Sequence, residues 1–167
     1  MICSPDDDTR EGRGQLPRGR AGARVCLADH MPSNDPAVIE RLLTTPGRWA
    51  VVGLSTNTAR PAHGVAAYLQ SLGHEIVPVH PRAETVHGAE GYARLRDVPG
   101  PIDVVDLFVN SIRVGALIDE AIEIGAPAVW LQLGVADPAA EQRARDAGLE
   151  VVVDTCPKIE GARLRRR

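Results

Sequence analysis

One short loop in the first third of the chain carries the groups best suited to binding chemistry. Its candidate residues are Gly53, Leu54, Ser55, Asn57, Arg60 and Pro61. The apolar segment 49–52 before the loop predicts a β-strand, and the proline predicts the first turn of a helix. A helix that begins just after a strand offers free backbone N–H groups and a positive potential, which suit a phosphorylated ligand. The second and third glycines of a G-x-G-x-x-G loop are absent, so side-chain donors would take part.

The elements around this loop are predicted from apolar periodicity as alternating strands and helices. The predicted strands are 49–52, 75–79, 103–109, 128–133 and 150–153. The predicted helices are 36–43, 61–72, 111–124 and 138–147, with a weak helical turn at 92–98. Short apolar strands separated by glycine-capped helices indicate right-handed βαβ units. We therefore predict an α/β fold, a Rossmann-like, doubly wound parallel five-stranded sheet in the order 3-2-1-4-5.

Pro78 conflicts with this pattern, because it lies inside the second predicted strand. Proline has no backbone N–H and cannot donate to a neighbouring strand. We predict a bulge or a frayed strand end at this residue.

Composition limits the class of protein. The chain has 167 residues, of which 44% are hydrophobic and 3% aromatic, and this suits one α/β domain with an aliphatic core. A net charge of −3 gives no reason to expect nucleic-acid binding. Apolar runs are too short for a membrane span, no secretory signal is present, and the three cysteines lack metal-site or disulfide-framework spacing. We expect a cytoplasmic protein with reduced thiols, without a metal site and without membrane association.

Three segments are expected along the chain. Residues 1–30 are rich in Arg, Gly, Asp and Pro and lack apolar periodicity, so we predict a disordered N-terminal extension. Met31 opens the folded domain, 31–161, and our hypothesis is that translation starts there. Residues 162–167 are predicted to form a basic C-terminal tail.

The residues after the second strand narrow the ligand class. An NAD site needs a carboxylate there for the ribose hydroxyls, whereas this chain has His80, Pro81 and Arg82. A guanidinium group suits a phosphorylated ribose, which NADP and coenzyme A both contain. An NADP site still needs a close-approach glycine at the pyrophosphate, and the loop after the first strand has side-chain donors instead. The residues therefore favour coenzyme A.

Five segments, in order and at the predicted strand ends, resemble the family of small stand-alone CoA-binding proteins. They are 53–55 with Arg60-Pro61, 79–81, 105–108, 129–134 and 154–160. That family is similar to the N-terminal domain of the succinyl-CoA synthetase alpha subunit. The resemblance covers roughly residues 35–160 and implies binding of coenzyme A or acyl-CoA.

The resemblance also implies a role for each loop. Residues along the pyrophosphate would be Gly53, Leu54, Ser55 and Asn57, with added positive potential from Arg60 and Pro61. Residues at the phosphorylated ribose would be His80 and Arg82. Residues flanking the adenine or its ribose would be Phe108, Val109 and Asn110, and those toward the pantetheine arm Gln132 and Leu133.

Structural roles are the alternatives for several of these residues. Ser55 and Asn57 could cap the following helix, and Arg82 could be an ordinary surface charge. Val109-Asn110 replaces a basic pair common in the family, which lowers the positive charge of the site.

No catalytic constellation is apparent, so we expect non-catalytic binding of coenzyme A or acyl-CoA. The alternatives are an NADP-dependent oxidoreductase-like enzyme and a scaffold with a vestigial nucleotide pocket. Protein partners and the acyl group are not indicated.

Overall fold

Five parallel strands form the central sheet of this computed structural model, which describes residues 34–166. The strands are β1 (Arg48–Val52), β2 (Glu75–Val79), β3 (Val104–Leu107), β4 (Ala128–Leu131) and β5 (Glu150–Val152). The helices are α1 (Pro36–Thr44), α2 (Pro61–Ser71), α3 (Ser111–Glu123), α4 (Pro138–Asp146) and α5 (Pro157–Leu164), with a 3₁₀ turn at Leu95–Asp97. The predicted extension 1–30 and the proposed start at Met31 lie outside the described residues.

The predicted doubly wound, five-stranded parallel sheet is confirmed, and its order along the sheet is β2-β1-β3-β4-β5. One isolated parallel bridge, from Tyr92 to Val79, lies beyond β2. If Tyr92 is counted as a further strand that follows β2 in the sequence, the later strands are renumbered by one. The order along the sheet then begins 3-2-1-4-5, as in a Rossmann sheet. The segment predicted as the third strand then takes the fourth place, because β3 pairs with β1 and not on the far side of β2.

Pro78 lies in a regular part of β2, paired in register with Val51, so the predicted bulge or frayed end is wrong. Its carbonyl oxygen accepts a hydrogen bond from the N–H of Tyr92, on the side away from β1. In a parallel strand the nitrogen and the carbonyl of one residue point to the same side. The missing N–H therefore faces the outer edge of the sheet, and no hydrogen bond to β1 is lost.

Alternate strand residues pack into two apolar layers, one on each face of the sheet. Trp49 and Val51 of β1 face the layer that contains Val65 and Leu69 of α2. The other β1 residues, Ala50 and Val52, belong to the opposite layer with α3 and α4. All four residues of β3 and all four of β4 are buried, as expected for a parallel sheet covered on both sides.

Helix α5 was not predicted, and it includes residues 162–164 of the expected basic tail. It packs against α1 and α2. Arg165, which follows it, donates a hydrogen bond to the Tyr68 hydroxyl at 3.1 Å and lies 5.5 Å from the centre of that ring. The basic segment is thus anchored to the domain as far as Arg165. None of the helices described in residues 34–166 is long and apolar enough to span a membrane.

Candidate functional site

A cavity of about 920 Å³ opens at the carboxyl ends of the strands. The residues that follow β1, β2, β3 and β4 all contribute to its lining. It lies where the chain winds in opposite directions from β1 and β3, which is the usual ligand position in doubly wound sheets. The fold therefore positions the predicted loops around a common space.

Gly53 joins three strands at the base of this cavity. Its φ of +95° lies in the region that favours glycine, and a β-carbon there would overlap the carbonyl oxygen of Phe108. Its N–H donates to the carbonyl oxygen of Val79 at 2.8 Å. Because that hydrogen is already bonded, Gly53 offers no free N–H group to a ligand. Its role is to let the backbone of the loop approach the end of the neighbouring strand closely.

The loop after Gly53 is held by its own polar groups. Asn57 Oδ1 accepts from the N–H of Ala59 at 3.0 Å, and Ser55 Oγ accepts from the N–H of Asn57 at 3.4 Å. Leu54 is fully buried in the core. Neither Ser55 nor Asn57 caps α2, whose N-cap residue is Arg60 without a side-chain cap bond. Leu54, Ser55 and Asn57 do not line the cavity, so their side chains shape the loop around it.

The beginning of α2 faces the cavity through Arg60, Pro61 and Ala62. Pro61 occupies the first helical position, as predicted. A helix N-terminus without a side-chain cap leaves backbone donors available to an anionic ligand. Arg60 adds a full positive charge, and no carboxylate within residues 34–166 lies in ion-pair distance of it.

Three further arginines line the cavity and were not predicted: Arg94, Arg96 and Arg113. Arg96 pairs with Glu120, with Nε 2.8 Å from Oε1. This carboxylate helps to raise the pKa of Arg96 through a hydrogen bond and its charge. Arg113 lies in the first turn of α3, so the predicted helix start after β3 could have identified it. Arg94 had no comparable signal, because its segment lacks periodicity.

His80 lines the cavity, whereas Arg82 does not. The Arg82 side chain is exposed and pairs with Glu84, with Nη1 3.5 Å from Oε1. Glu84 also accepts from the N–H of Thr56 at 3.1 Å, and this bond is the main cause of the lowered pKa of its carboxyl. The loop after β2 is thus tied to the loop after β1, and the cavity takes its positive charge from other arginines.

Phe108, Val109 and Asn110 lie together at the end of β3, and all three line the cavity. Phe108 is half-buried and packs against the apolar layer of Trp49 and Val51. Asn110 is the N-cap of α3, and its Oδ1 accepts from the N–H of Arg113 at 3.2 Å. A second helix N-terminus therefore points toward the cavity.

Gln132 and Leu133 follow β4 and form another part of the lining, together with Cys156. Leu133 is 57% exposed, whereas Gln132 is buried. Gln132 Nε2 donates to Oδ1 of Asp106 at 2.6 Å. Asp106 is wholly buried in β3, and burial raises the pKa of its carboxyl to about 8.

Nine of the thirteen predicted site residues line the cavity. They are Gly53, Arg60, Pro61, His80, Phe108, Val109, Asn110, Gln132 and Leu133. The lining also holds four arginines but only one carboxylate, that of Glu120. The low positive charge expected from residues 109–110 is thus offset by arginines from other segments. Within the described residues, no three His, Cys, Asp or Glu side chains form a group that could hold a metal ion.

Comparison with known proteins gives consistent matches over this region. The sequence profile of a CoA binding domain matches residues 47–162. The uncharacterized protein YneT of Bacillus subtilis is 34% identical over 132 residues, which are 79% of this chain and 98% of YneT.

Solved structures match as well. A hypothetical protein from Pyrococcus horikoshii is 35% identical with a TM-score of 0.74, covering 78% of this chain and 92% of that one. The dinucleotide-forming acetyl-coenzyme A synthetase 1 of Ca. Korarchaeum cryptofilum, in complex with phosphate and ADP, is 27% identical with a TM-score of 0.58. That match covers 68% of this chain and 26% of the synthetase. With a family profile that spans most of its folded part, this chain belongs to the CoA-binding domain family.

Proposed function

We propose that the cavity binds coenzyme A or an acyl-CoA and performs no chemistry on it. The observation that carries this proposal is the cavity at the strand ends, where the N-termini of α2 and α3 meet four arginines. Coenzyme A carries a pyrophosphate and a ribose phosphate on one half of the molecule. Helix N-termini and guanidinium groups are the protein groups that suit such phosphates.

The dimensions and lining also fit a ligand with a charged end and a less polar arm. A volume of about 920 Å³ is at the upper end of the range for small-molecule sites. Apolar groups from Val65, Leu117 and Val135 line the cavity beside the arginines. These apolar surfaces suit the adenine ring and the pantetheine arm.

Within the part of the chain that the structure describes, no activated nucleophile lines the cavity, and this supports binding without catalysis. Cys156 is the cavity-lining side chain best able to attack a thioester. Within residues 34–166, its sulfur accepts or donates no side-chain hydrogen bond with a histidine or a carboxylate. Glu120 is engaged by Arg96, and His80 Nδ1 accepts from the N–H of Arg82 at 3.3 Å. A nucleophile without a paired base is a poor catalyst of acyl transfer.

Calorimetric titration with CoA, acetyl-CoA, NADPH and NAD tests the proposal. We expect saturable binding of CoA and acetyl-CoA, in the micromolar range, and none of NADPH or NAD. Preference for NADPH would instead support the oxidoreductase-like alternative, and no binding of any of the four would support a vestigial pocket. The second part of the proposal, that the protein performs no chemistry on its ligand, is tested by incubation with acetyl-CoA. Mass analysis of the protein and of free CoA follows the incubation. Turnover of acetyl-CoA would refute the non-catalytic role.

A further inference from the structure

The carboxyl group of Asp106 is enclosed directly behind the cavity. Its side chain is 0% exposed, and its register neighbours are Val51 on β1 and Trp130 on β4. Its Oδ1 accepts a hydrogen bond from Gln132, and the nearby backbone N–H of Leu107 also acts to lower the pKa of the carboxyl. Its Oδ2 has no hydrogen-bond partner within residues 34–166. A buried polar atom without a partner is costly, and a functional role of the group would compensate for this cost.

Gln132 connects this carboxyl to the cavity. The amide nitrogen is used by Asp106, whereas Oε1 accepts no hydrogen bond in the described part of the chain. Asp106 Oδ2 is the one sealed side-chain polar atom there that lacks a partner, so the unpartnered Gln132 Oε1 is not sealed, and Gln132 is a residue of the cavity lining. The bond to Asp106 therefore fixes the Gln132 amide while its oxygen remains free to accept a hydrogen bond.

A pKa of about 8 leaves the carboxyl of Asp106 mostly protonated at pH 7. Burial is the largest cause of its raised pKa, and the hydrogen bonds from Gln132 and Leu107 offset burial only in part. Among the residues that the structure describes, no positive side chain shifts the pKa of this carboxyl. The carboxyl thus changes charge in the mildly alkaline range, with a pKa of about 8.

We propose that Asp106 is a positioning residue that holds the Gln132 amide oxygen toward the ligand, and that CoA binding favours the protonated form of Asp106. This inference rests on the proposed function. It goes beyond that function by naming Gln132 Oε1 as an acceptor for an N–H or O–H group of the ligand. It also predicts that ligand and proton bind together.

The direction of the coupling follows from charge and solvation. A phosphorylated ligand adds negative charge to the cavity and displaces water from it. Both effects disfavour a carboxylate at Asp106. If binding raises the pKa of this carboxyl by about one unit, the affinity falls roughly 5-fold between pH 7 and pH 9.

Other ionisable groups must be separated from this effect. The strands beside Asp106 present only Val51 and Trp130 to it. The helices on the same face of the sheet carry His63 and Lys158 near their beginnings. The ionisable groups lining the cavity are Arg60, Arg94, Arg96, Arg113, Glu120, His80 and Cys156. The variant Cys156→Ser therefore serves as the control for ionisation of the cavity thiol.

The test is calorimetric titration of the full chain with acetyl-CoA, which has no free thiol, at pH 7, 8 and 9. At pH 8, buffers that differ in ionisation enthalpy report the protons taken up. We expect the wild type and Cys156→Ser to lose affinity with rising pH and to take up protons at pH 8. Asp106→Asn keeps an acceptor for Gln132 but cannot titrate, so its affinity should not follow this pH dependence. Gln132→Leu removes the acceptor and should bind several-fold more weakly at every pH.

The possible outcomes separate the inference from the function on which it rests. Binding by the wild type that is equal at pH 7 and 9, or proton uptake that persists in Asp106→Asn, overturns the coupling and leaves CoA binding intact. If Gln132→Leu binds as the wild type does, the acceptor role is refuted. Absence of binding at all three pH values, by a wild type that remains folded, overturns both the proposed function and the coupling.

Discussion

The backbone of Gly53 lies so close to the carbonyl oxygen of Phe108 that a β-carbon at residue 53 would overlap that oxygen. The contact brings the loop after β1 against the end of β3, at the base of the cavity. Since the obstructing atom belongs to the backbone, a side-chain rotation cannot relieve the overlap.

Gly53→Ala is therefore expected to destabilise the fold and to displace the loop after β1. The positive φ alone costs roughly 1–2 kcal/mol for a residue with a β-carbon, and the overlap adds to it. Urea denaturation measures the loss in the free energy of unfolding. Gly88→Ala is the matched control, because Gly88 has a φ of +78° with no atom within 4 Å of the added carbon. Equal losses for the two variants would mean that the contact with Phe108 has no energetic consequence.

Arg94→Ala and Arg113→Ala are each expected to weaken CoA binding, because both remove a positive charge from the cavity lining. A lost hydrogen bond to a charged group costs roughly 1.5–3 kcal/mol, which corresponds to about 10-fold or more in Kd. Titration with CoA and with dephospho-CoA identifies which arginine lies near the ribose phosphate.

Arg82→Ala is the comparison variant for these arginines. Arg82 was predicted to contact the ribose phosphate, but its side chain pairs with Glu84 outside the cavity lining. We expect Arg82→Ala to lose less affinity for CoA than Arg94→Ala does. If Arg82→Ala instead shows the larger loss, and weakens CoA more than dephospho-CoA, then the guanidinium moves to the ligand on binding.

The stability of the protein is expected to decline between pH 4 and pH 8 because of Asp106. The folded state keeps this carboxyl protonated up to a pKa of about 8, whereas the unfolded chain ionises it near its ordinary value. The free energy of unfolding then falls with pH, by at most about 1.4 kcal/mol per pH unit, and the decline ends above the folded pKa. Asp106→Asn should remove this decline in urea denaturation at pH 5, 6.5 and 8. Asp97→Asn, at an exposed carboxylate, should retain it.

Gly161→Ala is expected to loosen α5 from α2. A β-carbon at residue 161 would overlap the hydroxyl of Tyr68. The double variant Gly161→Ala/Tyr68→Phe removes the obstructing oxygen, so it should recover part of the stability lost by the single variant. A double-mutant cycle in thermal denaturation measures the recovery, and strict additivity would contradict this packing.

Regular elements were predictable from this sequence because each carries repeated signals. The bounds of β2 match the prediction, and those of α2 differ by one residue at its end. Aliphatic runs and a glycine after most helices fix such elements locally. The order of the strands was less accessible, since the Tyr92 bridge is a single residue pair without periodicity.

The site was predictable where it follows directly from the ends of the strands. His80 and Gln132 line the cavity because each comes immediately after a strand, and Asn110 lines it as the third residue after β3. Arg94 was missed because a long connection brings it back to the cavity. Helix α5 was missed because its charged residues hide the short apolar pattern, although Pro157 occupies its first position.

The connection between β2 and β3 performs two tasks in one stretch of chain. Through Tyr92 it covers part of the outer edge of β2. Unpaired backbone N–H and C=O groups at that edge could otherwise pair with a strand of another chain. The same excursion then delivers Arg94 and Arg96 to the cavity wall. Shortening this connection would remove both arginines from the cavity wall and would also expose the edge of β2. Loss of ligand affinity and aggregation of the protein should therefore occur together.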